Sequence, residues 1–539
     1  MHAWGIADIG NDMQIISIID CIQANKYMLK TFADGLNAFE RVYATASTIG
    51  HHCVVFASRS VPQSELYAYQ AGKNVQADIL YQETWTMELF LEKLKTIAEQ
   101  YSQNEDVLFI VFQGDAPLID REIAQRLISL YTAYHPDYAF ADGYPPGFSP
   151  ELLRAQVLSQ LIMLAKQHAV PYSRSGIFSV IQKDINVFDI ETELAPVDLR
   201  PYRCVPICNN KRNFYTAQNL WHGGIRSGSA CAERLPGEEQ FLRTLPAFYS
   251  IQITEGCPSA CSYCPYPRMQ GDPRGKTGYM PLDTFITILD QISRFSEDAV
   301  IDLSLWGEPA MHPEIEAIVH EVLNQPELTL IIETSGIGWK EETIAGILDM
   351  AGKIQDTRQY SPFEGPRLHY IVSLDAWKPE TYEKLRGQGF DTALAFARRL
   401  VSSYPQGTHI QAVRMKENEE ELEEFYRSWK KVTEHIIIQN YECFSGSLPD
   451  HRVTDITPIR RMACRHLARD MSILMDGSVP VCKYALTQER FSYQAIAGNI
   501  LQDGVEAVWE SLGVVYQRHC IKDYPDFCRS CDEYYTYNA

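Results

Sequence analysis

Cys257-Pro258-Ser259-Ala260-Cys261-Ser262-Tyr263-Cys264 places three thiols within eight residues, spaced C-x3-C-x2-C, directly after the apolar run from Phe248 to Ile253. A loop this short can wrap three thiolates round one corner of a small inorganic cluster, and it supplies no fourth ligand. A structural zinc site wants four protein ligands in a closed tetrahedron. A cubane iron–sulfur cluster held by three cysteines leaves one iron open, and an open iron can bind something that reacts. For the triplet alone, zinc and unrelated buried thiols are the other readings.

A second set lies near the C-terminus. Cys464 and Cys482 flank Gly477, and Cys528-x2-Cys531 follows. Glycine in MDGSVPVC suits a hairpin turn that presents a thiolate at its exit. This spacing fits a zinc ribbon as well as a cluster. Cys520 could replace one ligand, whereas Cys443 reads as a buried thiol. Cys204-x3-Cys208 has no further partner nearby and reads as structural.

Stepping outward, the elements that must carry the first set are six strand-then-helix units over residues 245–445. The strands are 248–254, 300–306, 328–334, 368–374, 409–415 and 435–439, with amphipathic helical stretches between them. Repeated β-α units give an open parallel sheet or a barrel. In a barrel the chemistry sits on loops leaving the C-terminal strand ends, and here those ends carry the unusual residues. The cysteine loop follows the first strand; Trp306-Gly307-Glu308-Pro309, Thr334-Ser335-Gly336, Ser373-Leu374-Asp375 and Arg414 end the next four. Asn418 with Glu421 reads as a capping pair for the following helix. Arg268, Arg274 and Lys276, between the cysteine loop and the next helix, could shield an anionic cluster, although a solvated loop is the commoner explanation.

Residues 1–235 also alternate strand-like runs (14–20, 53–58, 77–82, 107–113) with helical ones, which predicts an α/β layer with a mostly parallel sheet. Gly114-Asp115-Ala116-Pro117-Leu118 follows the fourth run, and residues 209–244, polar and Gly-rich in the middle, read as a linker.

The C-x3-C-x2-aromatic-C loop, with Tyr263 as the aromatic, resembles the signature of the radical S-adenosylmethionine (SAM) superfamily. That resemblance implies a partial (β/α)6 barrel, a [4Fe–4S] cluster on Cys257, Cys261 and Cys264, and SAM on the open iron. It implies that Gly307 and Glu308 (a G-E-P motif) receive the SAM amine. Ser335, Ser373 and Asp375 have the acceptor chemistry for ribose hydroxyls, and Arg386 or Arg414 could pair the carboxylate. Residues 446–539 resemble the SPASM or twitch auxiliary-cluster region, with fewer cysteines than the full pattern. One auxiliary [4Fe–4S] cluster on Cys464, Cys482, Cys528 and Cys531 is the economical count. The G-D-x-P-L step and Gly35-x3-Phe39-x-Arg41-Val42 resemble nucleotidyltransferases and type A glycosyltransferases, in which the aspartate helps hold a metal-bound nucleotide. Those enzymes carry a Gly-rich basic loop after strand one; here that place reads Cys21-Ile-Gln-Ala-Asn-Lys-Tyr-Met, so a degenerate domain is expected. The ordered set resembles the spirochaetal SPASM-type radical SAM family.

These resemblances imply an α/β protein: an N-terminal nucleotidyltransferase-like sandwich, a radical SAM barrel and a small Cys-rich C-terminal domain. They imply an oxidoreductase-type enzyme that cleaves SAM reductively and abstracts hydrogen from a peptide or protein, served by a ferredoxin- or flavodoxin-like electron donor. Radical oxidation or epimerisation of a carbohydrate or nucleotide-linked molecule is one alternative, and a non-catalytic iron–sulfur scaffold another. The 539 residues carry a formal charge of -21, which argues against a nucleic-acid partner that needs a basic footprint. No apolar run approaches the roughly 20 residues of a membrane span, and the N-terminus has no basic n-region. Fourteen cysteines without an export signal imply reduced thiols in the cytoplasm.

Overall fold

The computed structural model describes residues 13–32, 34–59, 77–101, 106–266, 272–354, 365–485 and 495–535. The first twelve residues, read above for a leader, and Arg268 lie outside these. The chain forms two compact units, Met1–Leu242 and Arg243–Ala539.

In the first unit the strands are β1 (Met13–Cys21), β2 (His52–Ala57), β3 (Asp78–Tyr81), β4 (Asp106–Gln113), β5 (Tyr138–Asp142), β6 (Glu151–Arg154) and β7 (Ile190–Leu194). They form one sheet in the order β3-β2-β1-β4-β6-β5-β7, with β6 antiparallel to both its neighbours. Ile16, Ile18, Phe56 and Phe109 pack one sheet face against Phe90, Leu94 and Leu161 of the helices Met87–Tyr101 and Leu158–Gln167. The expected linker at 209–244 is instead folded: Asn210 caps a helix over Lys211–His222 whose Phe214, Ala217 and Leu220 are buried. Their spacing of three is helical, but the polar residues between them hide it.

In the second unit β8 (Phe248–Ile251), β9 (Ala299–Asp302), β10 (Leu328–Thr334), β11 (Leu368–Ser373), β12 (Thr408–Arg414), β13 (Ile436–Asn440) and β14 (Asp470–Ile473) are all parallel, in the order β13-β12-β11-β10-β9-β8-β14. The six expected strands are present. A seventh comes from beyond residue 445: Ser472 of β14 registers with Ser250 of β8, so no break between compact bodies falls at 445/446. β15 (Ser478–Pro480) and β16 (Ile496–Asn499) pair antiparallel beside it.

Strand alternation sorts the side chains. Ile251, Ile301, Leu330, Ile332, Tyr370, Val372 and Ile410 pack against Phe285, Ile288, Ile318, Ile344, Leu400 and Phe425 of the surrounding helices. Each such side chain contributes about 1.5–3 kcal/mol by leaving water. The opposite phase (Ser250, Asp302, Glu333, Gln411) lines a cavity inside the curved sheet.

Candidate functional site

The cysteine loop is tied down by the elements around it. Glu308 N–H donates to Gly256 O (2.7 Å), and Cys257 N–H to Pro273 O (3.4 Å). At the other end Ala260 and Ser262 N–H groups donate to Arg386 O (3.0 Å) and Leu385 O (2.8 Å), the carbonyls that end the helix Pro379–Arg386. Terminal helix carbonyls lack intrahelical partners, so the loop and the helix end satisfy each other. The three thiols lie near enough to perturb one another. Burial pushes the Cys257 and Cys264 thiols up to about 12, and raises Cys261 while the Arg386 guanidinium pulls it back.

Arg386 is the charge at this corner. It is 6% exposed, and it pairs with the fully buried Asp375 and donates to Tyr263 Oη at 2.6 Å. Tyr263 Oη also donates to Asp375 Oδ2, and Asp375 Oδ1 accepts Val413 N–H at 2.7 Å. Asp375 holds φ at 62°, an uncommon left-handed backbone for a non-glycine residue. Asn418 locks it there, donating to the carbonyls of Asp375 (2.6 Å) and Val413 (2.8 Å). The Asn418–Glu421 capping pair is therefore overturned. Asn418 is drawn to those carbonyls and to Met415 N–H, and Glu421 accepts Trp377 N–H at 3.1 Å.

Glu308 braces the adjoining rim. Its carboxylate accepts Ser335 N–H (2.8 Å), Ser335 Oγ (2.7 Å) and Thr334 Oγ1, and burial raises its pKa. Gly307 makes this approach possible: at φ 78°, a Cβ would lie 2.3 Å from Thr254 O. Gly307, Glu308 and Ser335 thus form one cluster, and Tyr263, Asp375 and Arg386 another. Ser373 and Arg414 belong to neither. Ser373 Oγ donates to Glu333 Oε1 (2.9 Å), and Arg414 forks onto Glu419 at 2.8 and 2.6 Å.

The C-terminal thiols converge separately. Cys464, Cys482, Cys528 and Cys531 line one small cavity with Leu467, Phe527 and Tyr534, and Cys520 is absent from its lining. Burial raises all four, and Cys464 feels each of the other three. Cys443 lies 3.7 Å from Asp532. Among the described residues no three His, Cys, Asp or Glu side chains draw close enough for a single metal ion. A hydrophobic cluster rich in aromatics packs against both Cys264 and Cys482. Within it Tyr266 stacks on Trp306 at 5.9 Å, and Phe444 follows at 6.1 Å and Tyr484 at 5.2 Å.

Below the rim the barrel encloses a cavity of about 630 Å³, lined by Asp302, Glu333, Gln411, Glu442, Cys482 and Lys483 among others. Only Cys482 of these stood out in the sequence. The signal was a lone acid at an inward phase of an apolar strand: Asp302 in VIDL, Glu333 in LIIET.

In the first unit Asp115 is fully buried and both its oxygens are taken by Arg174, at 2.6 Å each. Arg174 also donates to Gln23 O at 3.1 Å, and Tyr172 Oη donates to Asp20. A metal-bound nucleotide would have to displace that guanidinium. These residues do not fit the metal that the nucleotidyltransferase resemblance implied.

The thiol sites do fit iron–sulfur clusters, since several buried thiols face one another and a fixed guanidinium offsets anionic charge beside Cys261. The radical SAM superfamily profile matches residues 251–428, and that of an iron–sulfur cluster-binding domain, SPASM, matches 464–532. An uncharacterized protein of Treponema pallidum (strain Nichols) is 34% identical over 384 residues, 68% of this chain and 99% of that protein. Among solved structures, Streptococcus suis SuiB bound to precursor peptide SuiA is 13% identical, covering 71% of this chain and 84% of its own, at a TM-score of 0.41. A cytidylyltransferase from Leptospira borgpetersenii is 14% identical, covering 43% of this chain and 96% of its own, at a TM-score of 0.33. The chain belongs to the radical SAM superfamily, whose enzymes work through SAM and a [4Fe–4S] cluster, and it carries a SPASM domain for further iron–sulfur ligation.

Proposed function

We propose that this enzyme oxidises a peptide or protein substrate by radical chemistry, with Cys257, Cys261 and Cys264 holding the SAM-cleaving cluster and Cys464, Cys482, Cys528 and Cys531 holding one auxiliary cluster. The observation that carries this reading is the shared wall: Cys482 lines both the small thiol cavity and the barrel cavity. A substrate in the barrel therefore touches the auxiliary site. Held at the first thiol set, a reduced cluster and SAM would supply the radical that abstracts hydrogen, a chemistry that belongs to those groups.

The chain's part is placement. Arg386, fixed by Asp375 and Tyr263, sets a positive charge beside the first thiol set. Gly307 lets the 307–309 turn approach Thr254, and the Glu308 carbonyl, which accepts Met311 N–H, has a second lone pair for the SAM amine. The Glu308 carboxylate is engaged by Thr334 and Ser335, so its role is to hold that turn against β10. Tyr266, Trp306 and Phe444 exclude water between the two thiol sets. Glu333, positioned by Ser373 and Gln411, faces the substrate space. A ferredoxin- or flavodoxin-like donor in the cytoplasm supplies the electron.

The test is product analysis under strict anaerobiosis with SAM, dithionite and a peptide library. The expected result is 5′-deoxyadenosine together with a peptide that has lost a pair of hydrogens. Conversion of sugar nucleotides alone, with every peptide unchanged, overturns the peptide assignment.

A further inference from the structure

The charges lining the barrel cavity do not balance. Asp470 is held by Arg469 and His466, each at 2.6 Å, Asp532 by Arg452 at 2.5 Å, and Glu442 by Lys483 at 3.4 Å. Asp455 is exposed and accepts Thr457 N–H, and Glu533, also in the lining, is crowded by Glu442 and Asp532 and shares the fields of Lys483 and Arg452 with them. Asp302 and Glu333 stand on adjacent strands, project inward, and make no ion pair among the described residues. Glu333 Oε1 accepts Ser373 Oγ (2.9 Å) and Gln411 Nε2 (2.7 Å), which fixes the carboxylate. Asp302 accepts Ser304 N–H at 3.1 Å. Lys483 lies within the field of both but is committed to Glu442.

Two carboxylates in a low-dielectric enclosure are costly without a counter-ion. A separate feature points the same way. Tyr484, 2% exposed, lines the cavity with a hydroxyl that faces Glu442 without reaching hydrogen-bond geometry to any partner. Its hydroxyl can donate or accept, and it is a buried polar group that a ligand in the cavity could satisfy. The volume, about 630 Å³, falls within the range of sites that enclose a small ligand or a long side chain.

We infer that the barrel cavity selects its substrate through a cationic nitrogen, an amine or guanidinium, received by Glu333 and Asp302. This rests on the proposed function, because it takes the cavity as the substrate site. A lysine or arginine side chain of a peptide, or the amine of an amino sugar, could bring that group.

Binding can be measured without turnover. The holoenzyme, reconstituted anaerobically with SAM, is titrated calorimetrically with acetyl-Gly-Gly-Lys-Gly-Gly-amide, the norleucine and Nε-acetyl-lysine versions, the arginine version and its citrulline counterpart, and glucosamine. The lysine or arginine peptide should bind at least about tenfold more tightly than its uncharged counterpart, a difference of about 1.4 kcal/mol. E333Q and D302N should each erase most of that preference while leaving the norleucine peptide unchanged. A melting temperature no lower than wild type shows that each variant is folded, and S373A, which only loosens Glu333, should give a smaller loss.

Glucosamine binding with no peptide preference keeps the amine assignment and removes the peptide source. Equal binding of lysine and norleucine peptides, binding of no probe, or a preference that survives in both variants overturns the inference. Wild-type protein that forms 5′-deoxyadenosine yet shows no charge preference loses this inference and keeps its function. Protein that prefers lysine but never cleaves SAM does the reverse.

Discussion

Two buried aspartates, Asp115 in the first unit and Asp302 in the second, end up in opposite states. Asp115, just beyond β4, is closed from within: a guanidinium sits on both its oxygens and reaches the loop after β1. Asp302, at the end of β9, faces the barrel cavity beside a second carboxylate, with no cation in contact among the described residues. Both sit where a parallel sheet presents its carboxyl ends, the usual place for a ligand site. The difference shows that a strand-end acid marks a binding site only where the fold withholds a counter-ion.

The strongest way to break this contrast is to remove the internal cation. Arg174→Met should cost about 3–5 kcal/mol by leaving Asp115 buried and unpaired, read by denaturant unfolding of the first unit's transition. Adding Asp115→Leu should recover most of it, since an apolar pair of similar volume is often neutral. Wild-type protein should show no rise in melting temperature with magnesium and any of the common nucleoside triphosphates. A clear rise would mean that the guanidinium yields the site after all.

A backbone change sharpens the other side. Gly307→Ala forces a Cβ to 2.3 Å from Thr254 O at a positive φ. The strain should cost about 1–3 kcal/mol, and because the turn carries Glu308, SAM affinity measured by equilibrium dialysis should fall with it. Unchanged affinity would detach that turn from SAM binding.

The smallest effect is pH-dependent. Burial and the nearby Glu333 push Asp302 up to about 6 from an ordinary 3.8. The folded state binds that proton more tightly than the unfolded chain, so ionised Asp302 lowers stability above about pH 6, and the penalty fades as pH falls toward the ordinary value. Asp302→Asn should therefore raise the unfolding midpoint at about pH 8 and leave it unchanged at about pH 4. A gain at both pH values would assign the effect to packing rather than charge.

Much of this molecule was legible in its sequence. Strand periodicity located all six barrel strands, because apolar β-branched runs flanked by helical patterns have few other solutions. The cysteine loop announced itself by spacing, whereas the GEP turn was read from its place at a strand end and from the family resemblance. Other features depend on long-range pairing. That β14 would join β8 cannot be read from MSI, a run too short to declare its partner. Asn418 looked like a cap, yet it serves carbonyls freed by the left-handed turn at Asp375, a conformation that leaves no trace in residue type. Arg174 lies 59 residues from Asp115, so nothing local suggested that the acid was already neutralised. Asp302 and Glu333 were visible as single acids in apolar strands, but only the fold shows that they face one space.

The central claim is that Cys257, Cys261 and Cys264 hold a SAM-cleaving cluster distinct from the one on the C-terminal thiols. Anaerobic reconstitution, followed by iron counting and 5′-deoxyadenosine assay under dithionite, tests it most directly. Wild-type protein should carry about eight irons per chain as two cubanes, and the triple alanine variant at those cysteines should keep about half and form no 5′-deoxyadenosine. Zinc in place of iron, or a triple variant that still cleaves SAM, would contradict the account.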